Sequence, residues 1–327
     1  MLYGRSYAHP NKSWLCRTLV HWESQSNTAL NSPTGQNLVH HQARGYTIQH
    51  DETKMRFCKT YEFEFRIQGI KLGWSLAGPP FMTVYCFIFD DIMIDTGLSH
   101  MEKEVAGIAQ EKKIDRIYLT HHHEDHSGNA AHINQSIGAD VYGHSLTAEK
   151  LKNPYSILPY QKYVWGRTTP VRVKRFPQTI ETPSGKMIPV HTPGHAKDHT
   201  VFFLPEKGVL FSGDLYLADH IKFFRSDENM GIQIESLKKL THLDFNTLLC
   251  GHNPRQKNGR KHIQSKLEFM ENLYGNIVYL WKKGLPEKQI FNDLKLKEAW
   301  FTKYFCFGNV SMMNGVRSAI RHYESQN

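Results

Sequence analysis

The sequence predicts an α/β sandwich followed by a helical C-terminal region. Three observations carry this expectation. Short apolar runs bounded by Gly, Pro and Asp recur from Tyr61 to Cys250, and helical periodicities are interleaved with them. After His252 the apolar residues take a helical period throughout. A chain of 327 residues, 40% hydrophobic and 22% charged, has room for a sizeable buried core.

Residues 1–56 are rich in Ser, Asn, Gln and His and show no sustained period, so they read as a disordered N-terminal extension. Residues 57–253 read as the α/β domain. There "YEFEFRI" (61–67) alternates like a half-buried strand, and "VYCFIF" with "IMID" forms a pair around Asp90-Asp91. "MEKEVAGIAQEKK" has helical spacing, and "RIYLT" is a short β-rich run. Further strands are expected at "ADVYGH", "VRVKRF", "MIPVHT", "TVFFL", "GVLFSGD" and "TLLCGH", with a helix at "IQIESLKKL" between the last two. In residues 254–327, Leu267, Met270, Tyr274, Ile277 and Trp281 form an apolar stripe that Gly284 and Pro286 end. Shorter helices are expected over "EKQIFNDLKL" and "SMMNGVRSAIRHY", the whole region packing on the α/β domain.

The net charge is +9, but its position qualifies it. From Asn253 onward 13 Lys+Arg stand against 6 Asp+Glu, which leaves +2 for the first 252 residues. A basic tail reads first as a solvated helical face and second as a patch that attracts anions. The apolar run "FMTVYCFIF" is nine residues long, far short of the about 20 that a membrane-spanning helix needs. No long apolar core marks the first 20 residues as a secretory signal. A cytoplasmic location is expected, with Arg5, Lys12 and Arg17 ahead of Glu23 leaving organelle targeting open. The five cysteines (Cys16, Cys58, Cys86, Cys250, Cys306) form no CxxC pair and suit reduced thiols, not a disulfide frame.

The stretch "YLTHHHEDHSGN" puts four histidines and two carboxylates into six consecutive positions directly after the strand "RIYLT". Loops at strand ends are where a rigid scaffold positions reactive groups. His121 and His123 can project to one side, with Asp125 and His126 completing an HxHxDH spacing, while His122 and Glu124 alternate away. Imidazole and carboxylate together favour zinc, iron or manganese over calcium. Three further strand ends supply His195 ("VHTPGH"), Asp214 ("VLFSGD") and His252 ("TLLCGH"). Four strand ends each offering ligands is not a chance clustering of 20 histidines.

This ordered set resembles the metallo-β-lactamase superfamily over about Phe57 to His252. The resemblance implies a four-layer αβ/βα sandwich with two divalent metal ions, zinc first and iron or manganese as alternatives. It assigns His121, His123 and His195 to the first metal, Asp125, His126 and His252 to the second, and Asp214 to a bridge between them. A water held between two cations becomes a hydroxide nucleophile near neutral pH. Asp125 is then both ligand and catalytic group, orienting that hydroxide. His199, four residues beyond His195, is a candidate to orient a ligand from behind or an ordinary surface histidine, and His144 reads as structural.

Asp at position 214, where common β-lactamases of this family carry Cys, looks like the glyoxalase II, lactonase and phosphodiesterase branches. Leu217, where lactonases often have Tyr, departs from the lactonase pattern, while "TPGHAKDH" is similar to small β-lactamase-like endoribonucleases. Tyr216, Lys222 and Arg225 are substrate-contact candidates, the two cations for a carboxylate or phosphate. The expected function is a metal-dependent hydrolase of a small, possibly anionic ester, thioester or lactone. The alternatives are an endoribonuclease or phosphodiesterase of the same fold, with the tail gripping nucleic acid, and a mononuclear iron persulfide dioxygenase.

Overall fold

The computed structural model describes residues 56–153 and 155–327. The extension expected over residues 1–56 therefore lies outside the described residues, apart from Arg56 itself.

The first sheet joins β1 (Arg56–Glu62), β2 (Gln68–Trp74), β3 (Thr83–Phe89) and β4 (Ile92–Ile94) by antiparallel pairing. It continues through β5 (Arg116–Tyr118), β6 (Asp140–Gly143) and β7 (Lys174–Arg175) in parallel. Between these strands run α1 (Glu102–Glu111), α2 (Glu124–Ser127), α3 (Ala130–Ile137), α4 (Ser145–Lys152) and α5 (Pro159–Val164). The second sheet contains β8 (Ile180–Thr182), β9 (Gly185–His191), β10 (Thr200–Leu204), β11 (Val209–Gly213) and, after the small strand β12 (Phe224–Arg225) and helix α6 (Met230–Thr241), β13 (Thr247–Cys250). Its order is β13-β11-β10-β9-β8, with β11 and β13 parallel. The C-terminal region holds α7 (Gly259–Lys282), α8 (Glu287–Asp293), α9 (Trp300–Phe305), β14 (Val310–Ser311) and α10 (Met312–Gln326), and β14 pairs with β12.

Side-chain alternation along the strands explains the layering. Val84, Cys86 and Ile88 of β3 face α1 and α3 on the outside, whereas Phe87 and Phe89 face the second sheet. In the second sheet Phe202, Leu204, Val209, Phe211 and Leu249 point back into the inter-sheet core. Val201, Phe203, Leu210, Leu248 and Cys250 point outward into a core shared with α6, α7 and α10. Strands buried on both faces need an apolar residue at every position, which is why "VYCFIF" and "VLF" read as continuous runs. The result is four layers, helices on sheet on sheet on helices.

One expected strand is a turn instead. The run 61–67 carries a hairpin in which Glu64–Arg66 makes a single 3-10 turn, with Phe65 and Arg66 at φ 59° and 60°. The Phe63 N–H donates to Ile67 O at 2.8 Å and reverses the chain. Its alternation is genuine, but the pairing of β1 with β2 decides where the strand stops. Helix α9 was not expected either, since aromatic residues on several sides hide its period. No helix of the described residues is long and apolar enough to cross a membrane.

The carboxyl ends of β4, β5, β11 and β13 meet at one edge of the sandwich and carry Asp95, His121, Asp214 and His252. A close approach beneath this edge depends on Gly128. A Cβ there would stand 2.5–2.6 Å from Glu124 O, Gly97 O and Ser99 N, all backbone atoms. Gly128→Ala is therefore expected to cost about 1–3 kcal/mol by overpacking, measured as a lower midpoint in thermal or urea unfolding.

Candidate metal centre

Two groups of side chains converge at this edge. His121, His123 and His195 form the first, and Asp125, His126, Asp214 and His252 the second. Six of the seven are buried and His252 is half-buried.

In the first group His121 Nε2 and His195 Nε2 stand 2.8 and 3.1 Å from His123 Nδ1. The opposite nitrogens fix the tautomers. His195 Nδ1 donates to Glu228 Oε1 at 2.8 Å, so its Nε2 bears a lone pair. His121 Nδ1 faces Thr120 Oγ1 at 3.0 Å, and that hydroxyl is committed to Asp95 at 2.8 Å, so the ring is the donor and its Nε2 is also bare. His123 can donate to one of these nitrogens at most, so at least two lone pairs are forced together in a dry place. A cation between them removes the repulsion, and three imidazole nitrogens suit a transition metal or zinc.

The second group is rich in negative charge. His126 Nδ1 donates to Asp95 Oδ2 at 2.7 Å and His252 Nδ1 to the Thr83 carbonyl at 2.7 Å, which turns both Nε2 atoms inward. His252 Nε2 lies 3.4 Å from Asp125 Oδ2 and 3.5 Å from Asp214 Oδ1. His126 Nε2 and Asp214 Oδ1 are 3.2 Å apart yet off the line of a hydrogen bond, two buried polar atoms of the kind that proteins rarely leave unmet. Asp214 divides its carboxylate: Oδ1 faces this group, while Oδ2 lies 3.5 Å from His195 Nε2. The donors present thus fit a cation in each group with Asp214 shared.

The electrostatics of the two groups are opposite. Burial, then the neighbouring His126 and His123, hold His121 well below its ordinary range. Burial and the Arg225 charge do the same to His123. Burial also opposes charge on His126 and His252, but Asp214, Asp95 and Asp125 overcome it for His126. Asp214 and Asp125 raise His252 to about 10. Burial would raise Asp214, yet His126 and His252 hold it well below the usual carboxylate range. His121 and His123 thus offer neutral nitrogens, whereas the second group favours positive charge.

Other residues hold these ligands in place. His199 accepts the Asp214 N–H at 3.1 Å through Nε2, and its Nδ1 meets Thr192 Oγ1 at 3.0 Å. Burial and His195 lower its pKa to about 3, so it stays a neutral acceptor. Gly213 makes this contact possible: its φ is +48° and a Cβ would stand 2.7 Å from His199 Nε2. His122 points away from the centre and pairs with Asp198 at 2.9 Å. Glu124 likewise turns aside, accepting from Tyr155 and Gln161 at 3.2 and 3.0 Å. His144 caps α4 and stacks on His191 with centroids 4.4 Å apart.

The substrate candidates divide. Tyr216 is fully buried and its hydroxyl donates to Asp219 at 2.8 Å, so its ring belongs to the core beneath α7 and cannot line the cleft. Position in the chain suggested the opposite, because the residue follows a ligand by two. Lys222 is exposed. Arg225 makes a two-pronged pair with Asp227 at 3.1 Å, and its charge reaches Glu124 and His123.

Sequence reasoning missed Asp95 and Glu228. Asp95 ends "IMID", a strand-end carboxylate like Asp214, so a signal existed. Glu228 had none, since it lies in a loop and meets His195 only through the fold. Its Oε2 accepts from Gln233 at 3.0 Å, and its carbonyl accepts from Ser318 of α10 at 2.8 Å. Glu228→Gln is expected to weaken metal binding roughly 10–100-fold with unfolding midpoints of the metal-free protein little changed, read by competition with a chromophoric chelator.

Comparison with known proteins agrees with this geometry. The family model described as Metallo-beta-lactamase superfamily matches residues 82–252, just over half of the chain. A hydroxyacylglutathione hydrolase of Cereibacter sphaeroides is 30% identical over 178 residues, covering 53% of this chain and 63% of that protein. The beta-lactamase-like protein 2 homolog of Drosophila melanogaster is 32% identical over 178 residues, covering 49% and 54%. The chain thus spans less than two-thirds of the length of these curated relatives. A metallo-beta-lactamase family protein of Thermus thermophilus shares the fold with a TM-score of 0.52 at 17% identity, over 83% of this chain and 94% of that one. With the strand-end ligand groups, the layered sheets and the matched family model in agreement, this chain belongs to the metallo-beta-lactamase superfamily.

Proposed function

We propose that the protein is a metal-dependent hydrolase with a dinuclear centre, zinc in the first instance, acting on a small ester, thioester or lactone. The observation that carries this reading is the division of the Asp214 carboxylate between two groups in which His121, His195, His126 and His252 are oriented by hydrogen bonds. The relative named a hydroxyacylglutathione hydrolase supports an acyl substrate.

Divalent cations held there supply Lewis acidity, both to activate water and to polarise a scissile carbonyl. The chain's own part is positional and electrostatic. His121 and His123 offer neutral donors near pH 7, because burial keeps them uncharged, and Glu228 fixes the ring of His195. Asp125 presents Oδ2 to the shared space beside His252, and we assign it to orient the attacking water and accept its proton. Arg225, at the His123 side, is assigned to a carboxylate or other anion on the substrate, with exposed Lys222 on the same loop.

The first test is elemental analysis of the purified protein with an acyl thioester, ester and phosphodiester panel. About two zinc ions per chain, with acyl hydrolysis, is the result expected of a two-metal centre. A single iron per chain, or phosphodiester cleavage alone, would overturn the proposal. His123→Ala and Asp214→Ala are each expected to lower turnover by more than roughly 100-fold with an unchanged circular dichroism spectrum, beyond the scale of changes behind the ligands. Full turnover in both variants would remove the metal from the mechanism.

A further inference from the structure

Helix α9 exposes an unusual amount of aromatic surface: Phe301 is 61% accessible, and Phe81, from the loop before β3, is 40% accessible. Phe301 and Phe305 share one face of the helix, their rings parallel within 8° at 6.0 Å. The Phe81 ring lies 5.5 and 5.6 Å from them. Trp300 and Tyr304 stack on each other at 5.8 Å and form the neighbouring face. Contiguous exposed apolar surface of this kind marks a place where something binds.

Its position says what. Phe81 stands two residues before Thr83, whose carbonyl holds His252. Trp165, just after α5, lies 6.1 Å from the His252 ring. On the other flank Phe305 meets Tyr160 at 6.3 Å and packs against the cluster that includes Val310, which pairs with Arg225 across β12 and β14. The aromatic face therefore adjoins the segment that holds His252 on one side and the strand that carries Arg225 on the other. Its inner end holds a guanidinium, and its outer end is purely apolar. A ligand that fits both ends is amphiphilic, polar at the metal centre and apolar along α9. Phe81, Phe301 and Phe305 together span the width of an alkyl or aryl group.

We propose that Phe81, Phe301 and Phe305 form the wall that binds an apolar acyl or aryl arm of the substrate, so that the protein prefers medium-chain acyl groups over acetyl. This deepens the hydrolase reading and rests on it.

The test is calorimetric titration of the metal-loaded protein with acetate, butanoate and octanoate, beside hydrolysis of the matching acyl thioesters of one thiol. In the native protein, affinity and kcat/KM are expected to rise about two- to fourfold per methylene. Phe301→Ala should cut the octanoate-to-acetate ratio by roughly tenfold, the loss of two to three methylenes' worth of contact. Tyr304→Ala, on the neighbouring face, should leave the ratio unchanged. Octanoate binding no tighter than acetate, or equal effects of the two variants, would overturn the wall. Chain-length preference in binding without turnover of any thioester would keep the wall and remove the hydrolase reading. A flat acid series with vesicle co-sedimentation that Phe301→Ala abolishes would reassign the face to lipid and overturn the proposal.

Discussion

Asp95 is a buried carboxylate at the end of β4, and the centre is arranged around neutralising it. It accepts from the Thr120 N–H at 2.8 Å, the Thr120 hydroxyl at 2.8 Å and His126 Nδ1 at 2.7 Å. An uncompensated charge in such a place costs several kcal/mol, so these partners are obligatory. Their arrangement has a consequence beyond Asp95. The Thr120 hydroxyl, committed to the carboxylate, becomes an acceptor for His121. One carboxylate thereby sets a histidine in each ligand group, and both turn their free nitrogens inward.

The same logic recurs with different acceptors. Glu228 orients His195, the Thr83 carbonyl orients His252, and His199 receives the backbone N–H of Asp214. These three residues are each held by a group from another part of the chain, so their geometry is fixed only when both sheets are packed. Glu228 extends this dependence to the C-terminal layer. Its carbonyl accepts from Ser318 of α10, whose hydroxyl also receives the Met230 N–H at 2.8 Å. The buried Lys266 of α7 donates to the Leu215 carbonyl, the residue after Asp214. Burial lowers its pKa to about 8, with Glu228 and Asp214 offsetting part of that cost. The helical layer is thus part of the candidate centre's support as well as part of the outer core.

Burial on both faces of the strands leaves polar residues one place to go. Within β3, β10, β11 and β13 nearly every side chain serves a core. Function is confined to strand ends, where a Gly or a tight turn releases the chain. Gly213 shows the constraint at one residue: its left-handed φ ends β11 and brings Asp214 against His199.

The strand ends and their ligands were legible in the sequence because both signals are local. An apolar run followed at once by His or Asp needs no knowledge of its partner, and four such runs in HxHxDH, His, Asp, His order specify the site. The hairpin at Glu64–Arg66 was not legible, since local alternation continues through it and only the pairing of β1 with β2 ends the strand. Glu228 and the burial of Tyr216 were hidden for a related reason. An acid in a loop looks like a surface acid, and a tyrosine beside a ligand looks like a contact, until distant helices are placed over them. The sequence by itself determined the fold class and the strand-end His and Asp residues, while their division into two candidate ligand groups came with the family resemblance. Tertiary structure alone decided which acceptor fixes each imidazole and which side chains reach the cleft, because hydrogen-bond partners and burial depend on distant segments, as for Thr83 and His252, 169 residues apart.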